Sequence, residues 1–276
     1  MAIVTMKELL ERAEKNRNAV GAFNVGNMEM LIGAVTAAEK LNTPIIIQIA
    51  ECRLSHSPLH LMAPMMVEAA KKSSADIAVH FDHGNTKENI GKALNFGFTS
   101  VMYDGSKLTI GENVEKTNEC ARLARKFGAT VEAELGILGG SEAGKEGERV
   151  IYTRPDDAVY FANHADIDAL AIAIGNAHGN YKEAPDLQFD ILESIHKRVD
   201  KPLVLHGGTG ISPDDFKRCI KGGIRKINIA TANFDACTEG ALSIADKEMP
   251  FNYFKLNEAM VESVRENVMK HIEIFS

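Results

Sequence analysis

The sequence predicts an α/β fold, a (β/α)8 TIM barrel with an extra helix at each end, formed by residues 1–276 as a single domain. The chain has 276 residues, close to the roughly 250 that such a barrel needs. Short β-rich runs alternate with amphipathic helical segments, which indicates parallel βαβ units. Several of the runs are apolar on both faces, as is typical of parallel strands buried on both sides. A doubly wound open sheet is the alternative on pattern alone.

Eight segments have the length and composition of strands. They are Ala19–Asn24, Ile45–Ala50, Asp76–Phe81, Thr99–Tyr103, Thr130–Leu135, Ala169–Ile174, Pro202–Leu205 and Lys226–Ile229. No linker rich in Pro, Gly or Ser divides them into two groups, so the sequence favours one barrel over two domains.

Helix start signals follow four of these strands. They are candidate N-cap residues or first-turn prolines, at Asn27, Thr86, Pro155 and Ser212-Pro213. Two more helices, Thr5–Lys15 and Lys255–Ile272, are predicted before and after the alternating array.

Composition and charge exclude several classes of protein. The chain has 45% hydrophobic and 25% charged residues, the balance of a soluble globular protein. Asp plus Glu number 38 against 31 Lys plus Arg, and the formal charge of −7 disfavours partners such as nucleic acid or an anionic membrane. Residues 1–17 contain no run of seven or more apolar residues, so neither a signal peptide nor a membrane anchor is expected. The few, widely spaced cysteines indicate a reduced, cytoplasmic protein.

One segment departs from the alternation. Residues 136–148 are rich in glycine, lack apolar periodicity and directly follow a predicted strand. The sequence favours a mobile active-site loop over an ordinary connection.

Polar side chains collect where the predicted strands end. They are Asn24, Asp82, His83, Asp104, Glu132, Glu134, His178, His206 and Asn228, with Glu132 and Glu134 on one face of the fifth strand. Each has an ordinary alternative, since Asp-His-Gly is most often a turn and a histidine at a strand end is usually a hydrogen-bonded structural residue. The carboxyl ends of barrel strands meet at one rim, however. There the three histidines would form an imidazole site for a borderline divalent metal such as catalytic zinc.

The same rim carries a candidate phosphate site. Glycines can bring backbone N–H groups close to an anion, and hydroxyl groups and a lysine stand near them. The residues are Gly179, Gly207, Gly208, Gly210, Thr209, Thr231 and Lys182. A flexible turn is the alternative for the LHGGTG segment.

Six sequence blocks resemble the signature segments of the class II, metal-dependent ketose-bisphosphate aldolases, a family that includes fructose- and tagatose-1,6-bisphosphate aldolases. The blocks are FDHG (81–84), VMYDGS (101–106), VEAELG (131–136), NAHGNYK (176–182), LHGGTGIS (205–212) and KINIAT (226–231). The resemblance implies a (β/α)8 barrel and a lyase of carbohydrate metabolism, such as glycolysis. It would reversibly cleave a ketose 1,6-bisphosphate to dihydroxyacetone phosphate and glyceraldehyde 3-phosphate through an enediolate. It also implies that no lysine Schiff base is needed. In agreement with this, no lysine on a predicted strand is expected to be desolvated.

The resemblance also implies roles for individual residues. His83, His178 and His206 would bind the catalytic Zn²⁺, with Glu134 and Asp104 around an alternative or nearby metal position. Asp82 would be the acid/base at the C4 hydroxyl, and Glu142 the mobile proton-transfer group of the three-carbon half. The remaining matches form the substrate and phosphate site, in which a monovalent cation (Na⁺ or K⁺) is also expected: Asn24, Gly179, Lys182, Gly207, Gly208, Thr209, Asn228 and Thr231.

Three positions depart from many fructose-bisphosphate members. Ala50 and Ala230 replace a serine and an aspartate, and no arginine stands near Phe234 in the sequence. Ala230 resembles the tagatose-bisphosphate members. Arg53 is hypothesised to take over contacts to the distal phosphate, with a solvated loop arginine as the alternative.

The competing functions are an aldolase for another phosphorylated ketose, a metal-dependent phosphosugar isomerase or epimerase, and a non-catalytic sugar-phosphate-binding subunit. The resemblance implies a homodimer or homotetramer, and an accessory subunit of the kind found with some tagatose members stays open.

Overall fold

The chain closes into a barrel of eight parallel strands, as the sequence predicts. The structure, a computed structural model, describes residues 3–140, 150–181, 184–245 and 252–276. The strands are β1 (Val20–Asn24), β2 (Ile45–Ala50), β3 (Ile77–Gly84), β4 (Ser100–Tyr103), β5 (Thr130–Leu135), β6 (Ala169–Ile172), β7 (Leu203–Leu205) and β8 (Ile224–Ile229). Each pairs with its neighbours in sequence, and β1 pairs with both β2 and β8 to close the ring.

Helices surround the barrel. They are α1 (Met6–Asn16), α2 (Met28–Leu41), α3 (Leu59–Lys72), α4 (Lys87–Phe96), α5 (Ile110–Ala124), α6 (Pro155–His164), α7 (Phe189–His196), α8 (Pro213–Lys221), α9 (Thr231–Ala245) and α10 (Tyr253–Phe275). The predicted start signals are confirmed. Asn27, Thr86 and Ser212 each accept a backbone N–H bond as N-caps, and Pro155 and Pro213 lie in the first turns. Within the described residues, no helix combines the length and apolar composition needed to cross a membrane.

Four elements have bounds that differ from the prediction by two residues or more, and one of them is β8, which begins at Ile224 rather than at Lys226. Strand β3 continues past Phe81 because Gly84 still pairs with Tyr103 of β4. Strand β6 ends at Ile172, because the next two backbone N–H groups donate to Thr153 Oγ1 and Asn176 Oδ1 instead of to a strand. The closing helix is longer at both ends, from an N-cap at Asn252 to Phe275.

The outer faces of the strands pack against the helices. Phe23, Ile47, Phe81, Val131 and similar residues are fully buried there and belong to one core cluster. Burial of this apolar surface, at about 25 cal/mol per Å², is the main driving force for the fold.

The interior of the barrel is apolar at its amino-terminal end and polar above. Met6, Leu9 and Leu10 of α1 pack with Ile46 and other inward-facing residues, so this helix closes the amino-terminal end. Because side chains alternate along a strand, the residues two and four positions further on form the layers toward the carboxyl-terminal mouth. These are buried polar groups, including Gln48, His80, Asp82, Glu132, Lys226 and Asn228.

Candidate active site and metal centre

His83 reaches the mouth of the barrel through an irregularity in β3. Adjacent strand residues normally face opposite sides of a sheet, so Asp82 and His83 would diverge. His83 has a left-handed backbone with φ of 44°, and the register with β4 shifts between Phe81 and Gly84. A non-glycine residue in this region costs about 1–3 kcal/mol and is common at functional sites. The irregularity brings the imidazole and the Asp82 carboxylate to the same mouth.

Two carboxylates lie beside the Nδ1 atom of His83. His83 Nδ1 is 2.8 Å from Asp104 Oδ2 and 3.6 Å from Glu134 Oε2. Burial opposes ionisation of Asp104, but hydrogen bonds from His83 and Ser106 outweigh it and lower the pKa of Asp104 below its usual range. Asp104 is therefore a carboxylate that accepts the Nδ1 hydrogen of His83.

His206 follows β7 and faces His83 across the mouth. His206 Nδ1 lies 2.9 Å from His83 Nε2, and His206 Nε2 lies 2.8 Å from Glu132 Oε1. Burial, together with the charges of His83 and Lys226, lowers the pKa of His206 well below its ordinary value. The lowered pKa favours the neutral imidazole, which is the form that binds a metal.

His178 completes the cluster from the segment after β6. Its ring centroid is 5.0 Å from that of His83, in an edge-to-face arrangement. The segment is fixed by Tyr181, whose hydroxyl accepts the Ala177 N–H at 2.8 Å and donates to the Gly207 carbonyl at 2.9 Å. Burial raises the pKa of Tyr181 to about 12, so this hydroxyl keeps its hydrogen.

The cluster fits a divalent metal. One donor atom from each of His83, His178 and His206 lies within 4.8 Å of the others, and the same holds for His83, Asp104 and Glu134. Carboxylates accept from His83 Nδ1 and His206 Nε2, so the two ring nitrogens that face each other across 2.9 Å can share a proton or a metal ion. Three imidazole donors suit Zn²⁺ or a similar borderline metal.

Asp82 lies in a cradle of side-chain amides. Asn24 Nδ2 and Gln48 Nε2 donate to Asp82 Oδ2 at 3.2 and 3.1 Å, and Asn228 Nδ2 donates to Oδ1 at 3.2 Å. Gln48 also donates to Asn24 Oδ1 at 2.7 Å, which orders the cradle itself. The Asp82 carboxylate is 1% exposed and held in one orientation.

Most of the predicted substrate residues line one cavity beside the histidines. Its lining includes Asn24, His178, Gly179, Gly207, Thr209, Asn228 and Thr231. Thr209 Oγ1 accepts the Ala232 N–H at 3.0 Å, so the amino terminus of α9 is at this cavity. The backbone N–H of Gly208, which is predicted to face the phosphate, has another partner in the structure. It donates to the Asn228 carbonyl at 3.0 Å and is therefore not available to an anion.

Arg53 is another residue that lines this cavity. The Arg53 guanidinium lies over the Phe234 ring, 5.2 Å from its centroid, and both line the cavity with Ala50 and Ala230. Arg53 therefore lines the cavity, and its contact with a distal phosphate stays a prediction. Glu142 and Lys182, the other two predicted site residues, lie outside the described residues.

Sequence reasoning missed two buried polar residues below the mouth, Gln48 and Lys226. Gln48 holds Asp82, while Glu132 contacts His206 and pairs with Lys226, whose Nζ lies 2.9 Å from Glu132 Oε2. No strand lysine is predicted to be desolvated, yet Lys226 is fully buried in the barrel. A polar residue at every second position of an otherwise apolar strand, the signal that identifies Glu132, could have found both.

Gly207 offers a direct test of how tightly the mouth is built. A Cβ at Gly207, whose φ is 64°, would lie 2.0 Å from the Ala177 carbonyl oxygen. Gly128 has a similar φ of 67° with nothing within 4 Å, so Gly128→Ala is a matched control. We expect Gly128→Ala to lower the free energy of unfolding by about 1–2 kcal/mol and Gly207→Ala by at least about 3 kcal/mol, measured by urea titration. Equal losses would contradict the close approach.

Comparisons with known proteins identify the relatives of this chain. The family model described as fructose-bisphosphate aldolase class-II matches residues 4–276. A sulfofructosephosphate aldolase from Alkalicoccus urumqiensis is 37% identical, covering 97% of this chain and 96% of the relative. A fructose-bisphosphate aldolase from Geobacillus stearothermophilus is 38% identical over 90% of this chain and 88% of its own length. The crystal structure of the YdjI aldolase from Escherichia coli K12 superposes with a TM-score of 0.88 at 32% identity, covering 100% of this chain and 98% of that one.

Proposed function

Because the chain belongs to the class II fructose-bisphosphate aldolase family and is an aldolase, we propose that it cleaves a ketose 1,6-bisphosphate in a zinc-dependent reaction. The products would be dihydroxyacetone phosphate and glyceraldehyde 3-phosphate. The observation that supports this best is the convergence of three imidazoles and the amide-held Asp82 carboxylate at one end of the barrel.

Asp82 is suited to deprotonate the C4 hydroxyl of the sugar. When it takes this proton, the C4–O electrons form the aldehyde, the C3–C4 bond breaks, and its electron pair moves toward the C2 carbonyl. The three amides keep the carboxylate oriented toward the mouth, which is the positioning that a general base requires.

Zinc held by His83, His178 and His206 would act as a Lewis acid that polarises the ketose carbonyl, a contribution of several kcal/mol. Asn228 Oδ1 is buried and has no hydrogen-bond partner among the described residues, so it can accept from a substrate hydroxyl. Proton return to C3 is assigned to Glu142, on the strength of the resemblance alone.

The substrate is proposed to carry an anionic group at both ends. Gly179, Gly207 and the start of α9 at Thr231 suit a phosphate, with Lys182 and a monovalent cation as further expected partners. Arg53 lies near Ala50 and Ala230 and suits the distal anion. One relative acts on sulfofructose phosphate by its name, so a distal sulfonate is a second candidate beside phosphate.

The experiment that tests this function is a cleavage assay of the zinc-loaded protein with a series of ketoses. Fructose and tagatose 1,6-bisphosphates, 6-deoxy-6-sulfofructose 1-phosphate and fructose 1-phosphate are compared by coupled detection of dihydroxyacetone phosphate. We expect turnover of at least one doubly anionic ketose and loss of turnover on chelation. Release of no triose from any of them would overturn the proposal, and interconversion of the sugars instead would indicate an isomerase or epimerase.

Arg53 is expected to determine the preference for a distal anion. We expect Arg53→Ala to lower kcat/KM about 10- to 100-fold for the preferred doubly anionic ketose, the value of a hydrogen bond to a charged group. The effect on fructose 1-phosphate should be small, and Arg53→Lys should recover part of the loss. Arg122→Ala, at an exposed position on α5, is the control. An unchanged kcat/KM in Arg53→Ala would remove Arg53 from the site.

The cellular setting is proposed from the cysteines. Cys120, Cys219 and Cys237 are buried and form no disulfide, and so few cysteines in a chain of this size support a reducing cytoplasm. A homodimer or homotetramer, with or without an accessory subunit, is proposed from the family and can be measured by light scattering.

A further inference from the structure

An ion pair lies inside the barrel beneath the histidines. Glu132 of β5 and Lys226 of β8 are both fully buried. Lys226 Nζ lies 2.9 Å from Glu132 Oε2 and 3.2 Å from Oε1. A buried pair of this kind is weak evidence for stability, because desolvation offsets most of the attraction and apolar replacements are often neutral. Its contacts point to a role other than stability.

The third contact of Glu132 is with the histidine cluster. Glu132 Oε1 is 2.8 Å from His206 Nε2, whereas the other ring nitrogen, Nδ1, is 2.9 Å from His83 Nε2. A carboxylate accepts hydrogen bonds and donates none, so this contact places the ring hydrogen on Nε2. The lone pair of His206 is then on Nδ1, the atom that faces His83.

The ion pair fixes this arrangement from below. Lys226 contacts both oxygens of Glu132, which leaves Oε1 aimed at His206 and limits rotation of the carboxylate. His80 also lies near, with its Nε2 3.9 Å from Glu132 Oε2. All these side chains are fully buried or nearly so, and no solvent competes for the bond to His206.

We propose that Glu132 is a positioning residue for His206, oriented by Lys226, which fixes the imidazole as the Nε2–H tautomer with Nδ1 ready to bind the metal. The metal part of this inference rests on the proposed zinc-dependent function, whereas the tautomer is a property of the metal-free chain. Hydrogen-bond partners of metal-binding histidines typically contribute 10- to 100-fold to metal affinity.

The test uses two double variants that leave no unpaired charge in the barrel. Glu132→Leu/Lys226→Met removes the acceptor of His206. Glu132→Gln/Lys226→Met removes the same charges but keeps an amide oxygen in the place of Oε1. Glu14→Gln/Arg225→Met removes a second ion pair, with Arg225 Nε 2.7 Å from Glu14 Oε2, on the neighbouring residue of β8, and serves as the control.

Two quantities are measured on the full-length chain. The zinc dissociation constant, measured by competition with a chelator, should rise 10- to 100-fold in Glu132→Leu/Lys226→Met. It should stay within a few-fold of the wild-type value in Glu132→Gln/Lys226→Met and in the control. The tautomer of His206 in metal-free protein, from long-range ¹H–¹⁵N correlation spectra well above the ordinary histidine pKa, should be Nε2–H in the wild type and the Gln/Met variant.

Wild-type zinc affinity in a folded Leu/Met variant would overturn the positioning role. An Nδ1–H tautomer of His206 in the wild type would overturn it as well, and this measurement decides the matter even where a variant does not fold. Failure of the zinc-dependent aldolase function would show differently, as a wild-type protein that binds no zinc or cleaves no ketose while the tautomer is still Nε2–H.

Discussion

Asp82→Ala is expected to lower kcat for ketose cleavage at least about 100-fold and to leave the metal content of the protein unchanged. The carboxylate is the group best placed to remove the C4 hydroxyl proton, because Asn24, Gln48 and Asn228 hold it at the mouth. It belongs to neither set of side chains that can hold a metal. The loss should therefore fall on turnover and spare metal binding, as measured by steady-state kinetics and elemental analysis.

The control is the aspartate at the opposite end of the same strand. Asp76 precedes β3, and its carboxylate pairs with Arg12 at 2.6 Å, far from the mouth. Asp76→Ala should keep wild-type kcat. Turnover of Asp82→Ala within a few-fold of the wild type would refute the role of Asp82 as the base.

The barrel could be predicted because its signals are local. Buried parallel strands such as IIIQIA carry apolar residues on both faces, and N-caps such as Asn27 and Thr86 mark the helices that follow. The boundaries were less accurate, since they depend on side chains elsewhere in the fold. Strand β6 ends early only because Thr153 and Asn176 accept hydrogen bonds from its next residues.

The sequence predicts which side chains lie at the rim of the barrel, but not which of them contact one another. That His83 and His206 end strands is visible in the sequence, and a barrel brings strand ends together. The left-handed backbone of His83 is not visible there, because a histidine at positive φ is rare. The pairing of Glu132 with Lys226 depends on the register of β5 and β8, which are separated by two intervening strands across the closed barrel. The contact of Gln48 with Asp82 likewise depends on the register of two strands, the adjacent β2 and β3.

His83→Ala is expected to weaken zinc binding at least about 100-fold, so that the purified variant holds far less than one zinc ion per chain. His83 is the residue that both candidate metal sets share, together with His178 and His206 or with Asp104 and Glu134. Its loss should therefore affect the metal wherever the ion is held. The zinc content measured by elemental analysis, and the dissociation constant from chelator competition, give the size of the effect.

The matched control for this variant is His164→Ala. His164 is an exposed histidine at the end of α6, with Nδ1 2.7 Å from the Tyr160 carbonyl and no place in the cluster. It should keep the zinc content of the wild type. Full zinc content in His83→Ala would remove His83 from the ligands. Because an alanine at position 83 must still adopt the left-handed backbone, His83→Asn, whose side chain tolerates that conformation, separates loss of the ligand from backbone strain. Weak zinc binding in both variants, with the Asn variant the more stable to urea, is the result that assigns the effect to the imidazole.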